Sequence, residues 1–278
     1  MKKKFRRLRI MLLLAIILAI ICADSRWSLD VTEYTVADTK IPVEFNGWRI
    51  VQLSDLHLMS FGENNTQLIA AVRNAKPDLI AITGDLVDTA QGWEDYVRTL
   101  MAGLKDIAPV YYISGNHEWA AGCARRLFKE LESCGVTVLR NEYVLIEHNG
   151  ASIVLAGADD PNGPSDMISP AELYRRIEAG YPGLYTVLLA HRNTELEAYA
   201  QAGFDLTFCG HAHGGVIRLP GTDGLINTQR ELFPTHTSGL YDVDGMTAIV
   251  SRGLGNNLPV PRFLNRPHIP VAVLAHKQ

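Results

Sequence analysis

The sequence predicts an α/β fold preceded by an apolar N-terminal helix, on three observations. Short apolar runs of strand length, such as Leu79-Ile80-Ala81-Ile82-Thr83, stop abruptly at polar clusters. Segments of helical periodicity lie between those runs, and they give a right-handed strand-helix-strand unit. A basic flank followed by an unbroken apolar stretch opens the chain.

Composition narrows the reading. A chain of 278 residues with 47% hydrophobic content suits one large domain plus a leader, which we divide as residues 1–26 and 27–278. Lys2, Lys3, Lys4, Arg6, Arg7 and Arg9 lie ahead of Ile10, so the net charge of −4 leaves −10 on the remainder. An acidic body argues against nucleic acid as a partner, because that needs many Lys and Arg contacts to phosphates. A compact phosphate-bearing substrate remains compatible, since bound metal ions reverse the local charge. The four cysteines form no disulfide framework. Cys123 and Cys134 fall on one predicted helix, where eleven residues separate them by roughly 16 Å. Cys209 reads as a buried thiol in a strand, and Cys22 belongs to the leader.

In the leader, residues 10–23 form an apolar run of fourteen. That length fits the core of a signal peptide and falls short of the ~20 residues that span a bilayer. Ile21 occupies a position where cleavage wants a small residue, and flanking Lys and Arg extend a short span by snorkelling. The expectation is therefore an uncleaved membrane anchor, with a cleaved signal as the alternative. The basic flank should stay in the cytoplasm and leave the body outside.

The body follows in order. Residues 30–36 alternate like an edge strand. Residues 48–54 read as the first core strand and run into Asp55-Leu56-His57, whose two ligand types would share a side on extended backbone. Helical periodicity over 66–75 feeds the strand 79–83, after which Gly84 permits a sharp turn and Asp85 projects from the strand's carboxyl end, where open α/β sheets bind ligands. A helix over 93–105 leads to the strand 110–113, which ends at Ser114-Gly115-Asn116-His117-Glu118. A helix over 121–133 precedes runs at 136–139, 143–146 and 153–157, read together as a meander in a second sheet. After a helix at 171–179, the strand 185–190 ends at His191; after another at 195–202, the strand 206–209 ends at Gly210-His211-Ala212-His213-Gly214-Gly215. Strands at 246–251 and 271–274 close the chain, with the Gly- and Pro-rich loop 253–259 at the site rim. His148, His236, His268 and His276 read as surface residues.

Five strand ends thus offer Asp55, His57, Asp85, Asn116, His191, His211 and His213. With nitrogen and oxygen donors and no thiolate, the set suits Mn, Fe, Zn or Ni. Seven donors are too many for one ion and right for two, with Asp85 as the bridge.

The ordered series Asp-x-His, Gly-Asp, Gly-Asn-His-Glu, His and Gly-His-x-His resembles the calcineurin-like metallophosphoesterase superfamily over residues 49–274. The resemblance implies a pair of packed mixed sheets flanked by helices, a four-layer sandwich. It implies a first divalent metal ion held by Asp55, His57, Asp85 and His213, and a second by Asp85, Asn116, His191 and His211. A hydroxide between the ions would attack phosphorus, His117 would protonate the leaving oxygen, and Asp88 would orient His117; Asp88 also reads simply as a helix N-terminal residue. Thr89-Ala90 stand where the protein phosphatase branch has Arg-Gly, which counts against a phosphoprotein substrate. The stretches 251–255 and 262–267 resemble the membrane-associated bacterial branch, although His268 stands where that branch commonly has Glu.

Apolar residues adjoin the ligand motifs: Leu58, Met59, Phe61, Trp119 and the run Leu232-Phe233-Pro234. On a membrane-held protein they suggest a lipid-linked phosphoester. The branch resembled points to UDP-2,3-diacylglucosamine of lipid A biosynthesis, whereas a body outside the cytoplasm favours a phospholipid or wall-polymer phosphodiester. The competing readings are an inactive scaffold on the same fold and a soluble-nucleotide phosphodiesterase.

Overall fold

Two six-stranded sheets packed face to face put the carboxyl ends of their central strands at a common edge. The computed structural model describes residues 2–164, 167–227, 231–257 and 259–277. Its first element is helix α1 (Lys2–Trp27), followed by strands β1 (Asp30–Asp38) and β2 (Arg49–Leu53). Then come α2 (Thr66–Asn74), β3 (Leu79–Thr83), α3 (Glu94–Lys105) and β4 (Val110–Ile113). The short α4 (Asn116–Ala120) and α5 (Ala124–Ser133) precede β5 (Thr137–Val138). The second half contains β6 (Glu142–His148), β7 (Ala151–Gly157), α6 (Pro170–Gly180), β8 (Thr186–Arg192), α7 (Leu196–Ala202) and β9 (Leu206–Gly210). Strands β10 (Gly239–Val243), β11 (Met246–Val250) and β12 (His268–His276) end the fold.

The first sheet has the order β1-β12-β2-β3-β4-β5 and the second β10-β11-β9-β8-β7-β6, each mixing parallel and antiparallel neighbours. Three apolar layers follow from the burial of both strand faces. Ile50, Ala81, Ile113, Val187, Leu189 and Phe208 fill the space between the sheets. Val51, Ile80 and Ile82 face the other way, onto Leu68, Val97, Leu100 and Leu127 of α2, α3 and α5. Leu188, Ala190 and Val250 do the same against Leu173, Ile177 and Leu196 of α6 and α7. One buried polar link crosses between the sheets below the site: Gln52 Nε2 donates to Thr83 Oγ1 and to the Cys209 carbonyl, each at 2.8 Å.

Residues 10–23 of helix α1 are apolar all round, and the segment Lys3–Trp27 is long and apolar enough to cross a membrane. Its last turn is joined to the body. Ser25 is buried and its Oγ accepts the Asn265 N–H at 3.3 Å, while Arg266 Nε donates to Asp24 Oδ2 at 2.7 Å.

Several expectations need correcting. The run at 136–139 contributes β5 to the first sheet, beside β4, because α5 acts as a crossover that returns the chain parallel to β4. The helix expected over 121–133 starts at Ala124, since Gly122 at φ +67° interrupts it, and Cys123 and Cys134 flank it as free thiols. Strand β12 is longer than expected. Its Pro270 lies outside the register with β2, where one partner strand remains and a proline is tolerated. Consequently His268 is fully buried, with Nδ1 accepting the Arg252 N–H at 3.4 Å, and is no surface residue. His148 ends β6 with its ring against Phe45. Leu258 of the expected rim loop lies outside the described residues.

Candidate metal centre

Most of the donors sit on turns and not, as expected for the pairs Asp55/His57 and His211/His213, on extended backbone, whereas His191 lies at the carboxyl end of β8 and Asn116 opens α4. Asp55, His57, Asp85, His211 and His213, five of the seven, have φ between +47° and +67°. For residues with a Cβ that conformation costs about 1–2 kcal/mol each, and such strain clusters at functional sites. Backbone bonds hold these turns in place. Asp55 N–H donates to the Gly84 carbonyl at 3.1 Å and His57 N–H to that of Asp85 at 3.0 Å, so the loops after β2 and β3 clasp each other. Gly84 at φ +84° lets the loops after β3 and β4 approach: a Cβ there would stand 2.6 Å from Gly115 Cα and 2.8 Å from His191 Nδ1.

The structure gathers all seven predicted donors. His57 Nε2 and His213 Nε2 are 3.3 Å apart, with Asp55 Oδ1 3.6 Å from the latter. His191 Nε2 is 3.2 Å from His211 Nδ1 and 3.1 Å from Asn116 Oδ1. Asp85 Oδ2 joins both sets, at 3.8 Å from His57 Nε2 and 3.2 Å from His191 Nε2. Metal–ligand bonds of ~2.0–2.2 Å place neighbouring donors of a tetrahedral set about 3.4 Å apart, and the observed spacings match. His191 Nδ1 faces the Thr83 carbonyl at 2.9 Å, which assigns a proton to Nδ1 and directs Nε2 at the site.

Charge tells the same story. Burial pushes His57 and His211 down to about 3, and His213 well below the usual range, so these imidazoles are neutral. Burial pushes Asp55 up to about 6, with His191 opposing and Asp85 adding to the rise. Burial would also raise Asp85, but the adjacent His191 outweighs it and holds the carboxyl below the usual range. Conversely, burial would lower His191, and the Asp85 carboxylate lifts it to about 10. The His191 imidazolium thus offsets one of the two carboxylates and leaves negative charge beside neutral imidazoles, which is what a divalent cation needs. The residues therefore fit the two ions.

His117 stands half-exposed at the mouth, its Nε2 4.0 Å from Asp85 Oδ2 and its N–H donating to Asp85 Oδ1 at 2.9 Å. Asp88 lies 3.7 Å from His57 Nδ1, while His117 Nε2 meets Asn257 Nδ2 at 2.8 Å. Phe61 is buried in the core, because Asn65 Oδ1 accepts its N–H and turns it inward, so it does not border the mouth. Trp119 is half-buried, donating from Nε1 to Ser114 Oγ; Leu58 and Met59 pack on the core margin.

Three residues escaped the sequence reading. Glu118 is fully buried and accepts N–H groups from Leu86 at 2.6 Å, Gly115 at 2.9 Å, Asp85 at 3.2 Å and Val87 at 3.3 Å. It fastens the Asp85 turn to the Asn116 turn; the signal was an acidic residue directly after Asn116-His117. Asn257 was read only as part of the rim loop 253–259, with no role of its own. Arg262 is buried behind Asp55, where Nε and Nη2 donate to the Gly255 carbonyl at 3.1 and 2.7 Å.

Comparison with known proteins is consistent with this arrangement. A family model described as calcineurin-like phosphoesterase matches residues 49–215. The uncharacterized metallophosphoesterase YkuE of Bacillus subtilis (strain 168) is 31% identical over 253 residues, covering 88% of this chain and 85% of that protein. A transmembrane protein with metallophosphoesterase domain from Bos taurus is 31% identical over 234 residues, covering 79% of this chain and 51% of that protein. The phosphodiesterase YaeI of Escherichia coli (strain K12) is 31% identical over 179 residues, covering 62% of this chain and 63% of that protein. The chain belongs to the calcineurin-like phosphoesterase family and is a metal-dependent phosphoester hydrolase.

Proposed function

We propose that the chain is a membrane-anchored phosphodiesterase with a two-ion centre. Asp55, His57, Asp85 and His213 would hold one ion, and Asp85, Asn116, His191 and His211 the other. The observation that carries the reading is Asp85 Oδ2, which lies within 3.8 Å of an imidazole nitrogen in each donor set. Divalent ions such as Mn, Fe, Zn or Ni would supply charge neutralisation at the phosphoryl oxygens and activation of water. His117, half-exposed at the mouth with Nε2 4.0 Å from Asp85 Oδ2, delivers a proton to the leaving oxygen. Asn257 and the nearby Asp88 position that ring and its neighbour His57. The likeness to a phosphodiesterase of Escherichia coli supports a diester as the substrate.

Helix α1 serves as the anchor, with the basic flank in the cytoplasm and the body outside. That orientation favours a phospholipid or wall-polymer phosphodiester over UDP-2,3-diacylglucosamine, which calls for a cytoplasmic body. Exposed Leu232 and Phe233 support an amphiphilic substrate. The purified chain should hydrolyse a nitrophenyl phosphodiester with added Mn²⁺ and stop on chelation. Absence of turnover with Mn, Fe, Zn and Ni alike would favour an inactive scaffold. A C-terminal reporter active only in the cytoplasm would reverse the orientation.

A further inference from the structure

Between the last turns of α1 and the loops behind Asp55 lies a cavity of about 240 Å³ that the hydrolytic centre does not use. Ala19, Cys22, Ala23, Arg26 and Trp27 form its helix wall, recurring at the spacing of one helix face. Three of them are small, so their side chains leave the space between helix and body unfilled. Met59, Leu254, Gly255, Asn256, Pro261 and Arg262 form the opposite wall.

That opposite wall is the back of the metal centre. Leu254 N–H donates to the Ser54 carbonyl at 2.9 Å and Gly255 N–H to that of Asp55 at 2.6 Å. Met59 lies two residues beyond His57, and Asn256 directly precedes Asn257, whose amide touches His117. The same short segment therefore has the cavity on one side and the proposed proton donor on the other.

We propose that this cavity is an acyl-chain subsite, built jointly by the membrane helix and the body, which receives one hydrocarbon chain of an amphiphilic phosphodiester drawn from the bilayer surface. The proposal rests on the phosphodiesterase reading and adds the place where substrate is recognised. Three observations favour a lipid chain. The helix wall continues into the exposed apolar surface of α1, so a chain passes from bilayer to cavity without crossing water. Arg26 and Trp27 mark the interface level at which a headgroup sits. Ala19, Ala23, Met59, Leu254 and Pro261 make much of the lining apolar, and the Arg262 guanidinium is turned to the Gly255 and Arg252 carbonyls. Size limits the guest: apolar cavities of ~150 Å³ take a benzene-sized molecule, and whole drug-sized ligands need ~300–1,000 Å³. Part of one chain fits, and a headgroup does not.

The test is a series of nitrophenyl alkyl phosphodiesters, methyl to octyl, on the full chain in detergent with Mn²⁺. Each buried methylene should raise kcat/KM roughly fourfold until the cavity is full. Ala23→Phe, or Ala19→Phe one turn away, fills the cavity from the helix, and should lower the octyl-to-methyl ratio by about tenfold or more. Partitioning into micelles is common to all three proteins and cancels in that comparison. A ratio unchanged in both variants would overturn the subsite. Absence of methyl ester hydrolysis would instead refute the phosphodiesterase reading. The cavity is then tested without turnover, on chelated protein, by alkylation of Cys22 with N-ethylmaleimide: octyl phosphate should slow reaction at Cys22 and not at Cys134. Equal rates with and without octyl phosphate would overturn the proposal.

Discussion

Gly84 and Gly92 share one backbone conformation, φ +84°, in opposite surroundings, and the pair isolates how tightly the centre is built. A Cβ at Gly92 would meet nothing within 4 Å. A Cβ at Gly84 would stand 2.6 Å from Gly115 Cα, so the loops after β3 and β4 would have to part by about 0.9 Å to reach an ordinary carbon contact of ~3.5 Å. Both alanine substitutions carry the left-handed penalty of about 1–2 kcal/mol. Gly84→Ala adds overpacking of about 1–3 kcal/mol, for a total of roughly 2–5 kcal/mol. Any gain from a stiffer unfolded chain is common to both and cancels. The displacement also separates Asp85 from Asn116, and a misplacement near 1 Å costs about 100-fold in rate. Urea unfolding of the metal-free chain gives the stability difference, and metal content with kcat/KM gives the functional one. Equal destabilisation by the two substitutions, or a Gly84→Ala protein that keeps metal and rate, would refute the reasoning.

Other perturbations separate the remaining roles. Asp85→Asn should lose metal content together with activity, because it removes charge from both donor sets; retention of two ions per chain would count against a shared carboxylate. His117→Ala should keep metal and lose rate, less so with leaving groups that need little protonation; equal losses for good and poor leaving groups would exclude the acid role. Lys40, raised by its hydrogen bond to Asp205, joins the loop after β1 to the loop before β9 at 2.8 Å. Its contribution should be present below the ordinary lysine value of ~10.4 and fade as pH rises through the higher folded value. With Lys40 exposed to screening solvent, the pair should be worth about 1 kcal/mol or less, so a larger neutral-pH loss in Lys40→Met would indicate lost packing.

The strand ends were legible because each apolar run stops at a ligand type. Strands buried on both faces carry few ligand-type residues before their ends, so Asp85, Asn116 and His191 announce position and chemistry together. What was not legible depends on residues far apart in the chain. The left-handed turns at Asp55 and His57 are held by carbonyls of Gly84 and Asp85, about thirty residues away in sequence. Extended backbone was the natural reading of an Asp-x-His pair without that clasp. Glu118 looked like part of a motif, and its function appeared only with its acceptors' partners, the N–H groups of the β3 turn. His268 was misread for the same reason: a histidine after proline resembles a loop residue until β12 inserts between β1 and β2.

The two sheets explain why the ligand turns are strained at all. Donors from β2, β3 and β4 must meet donors from β8 and β9 across an interface otherwise filled by Ile113, Leu189 and Phe208. A strand that simply continued would carry Asp55 or His211 past its partners along the sheet edge. Reversing the backbone at the last residue turns each side chain inward, at a local cost of about 1–2 kcal/mol that the surrounding cores must offset. The glycines at 84, 115 and 210 are the complement of that arrangement, because a Cβ would strike Gly115 and His191 at the first, Asp85 at the second, and Ser54 and Asp55 at the third. Strain, glycine placement and the neutral imidazoles thus share one cause. The fold concentrates negative charge and lone pairs at a point that only cations can neutralise, and it does so before any ion arrives.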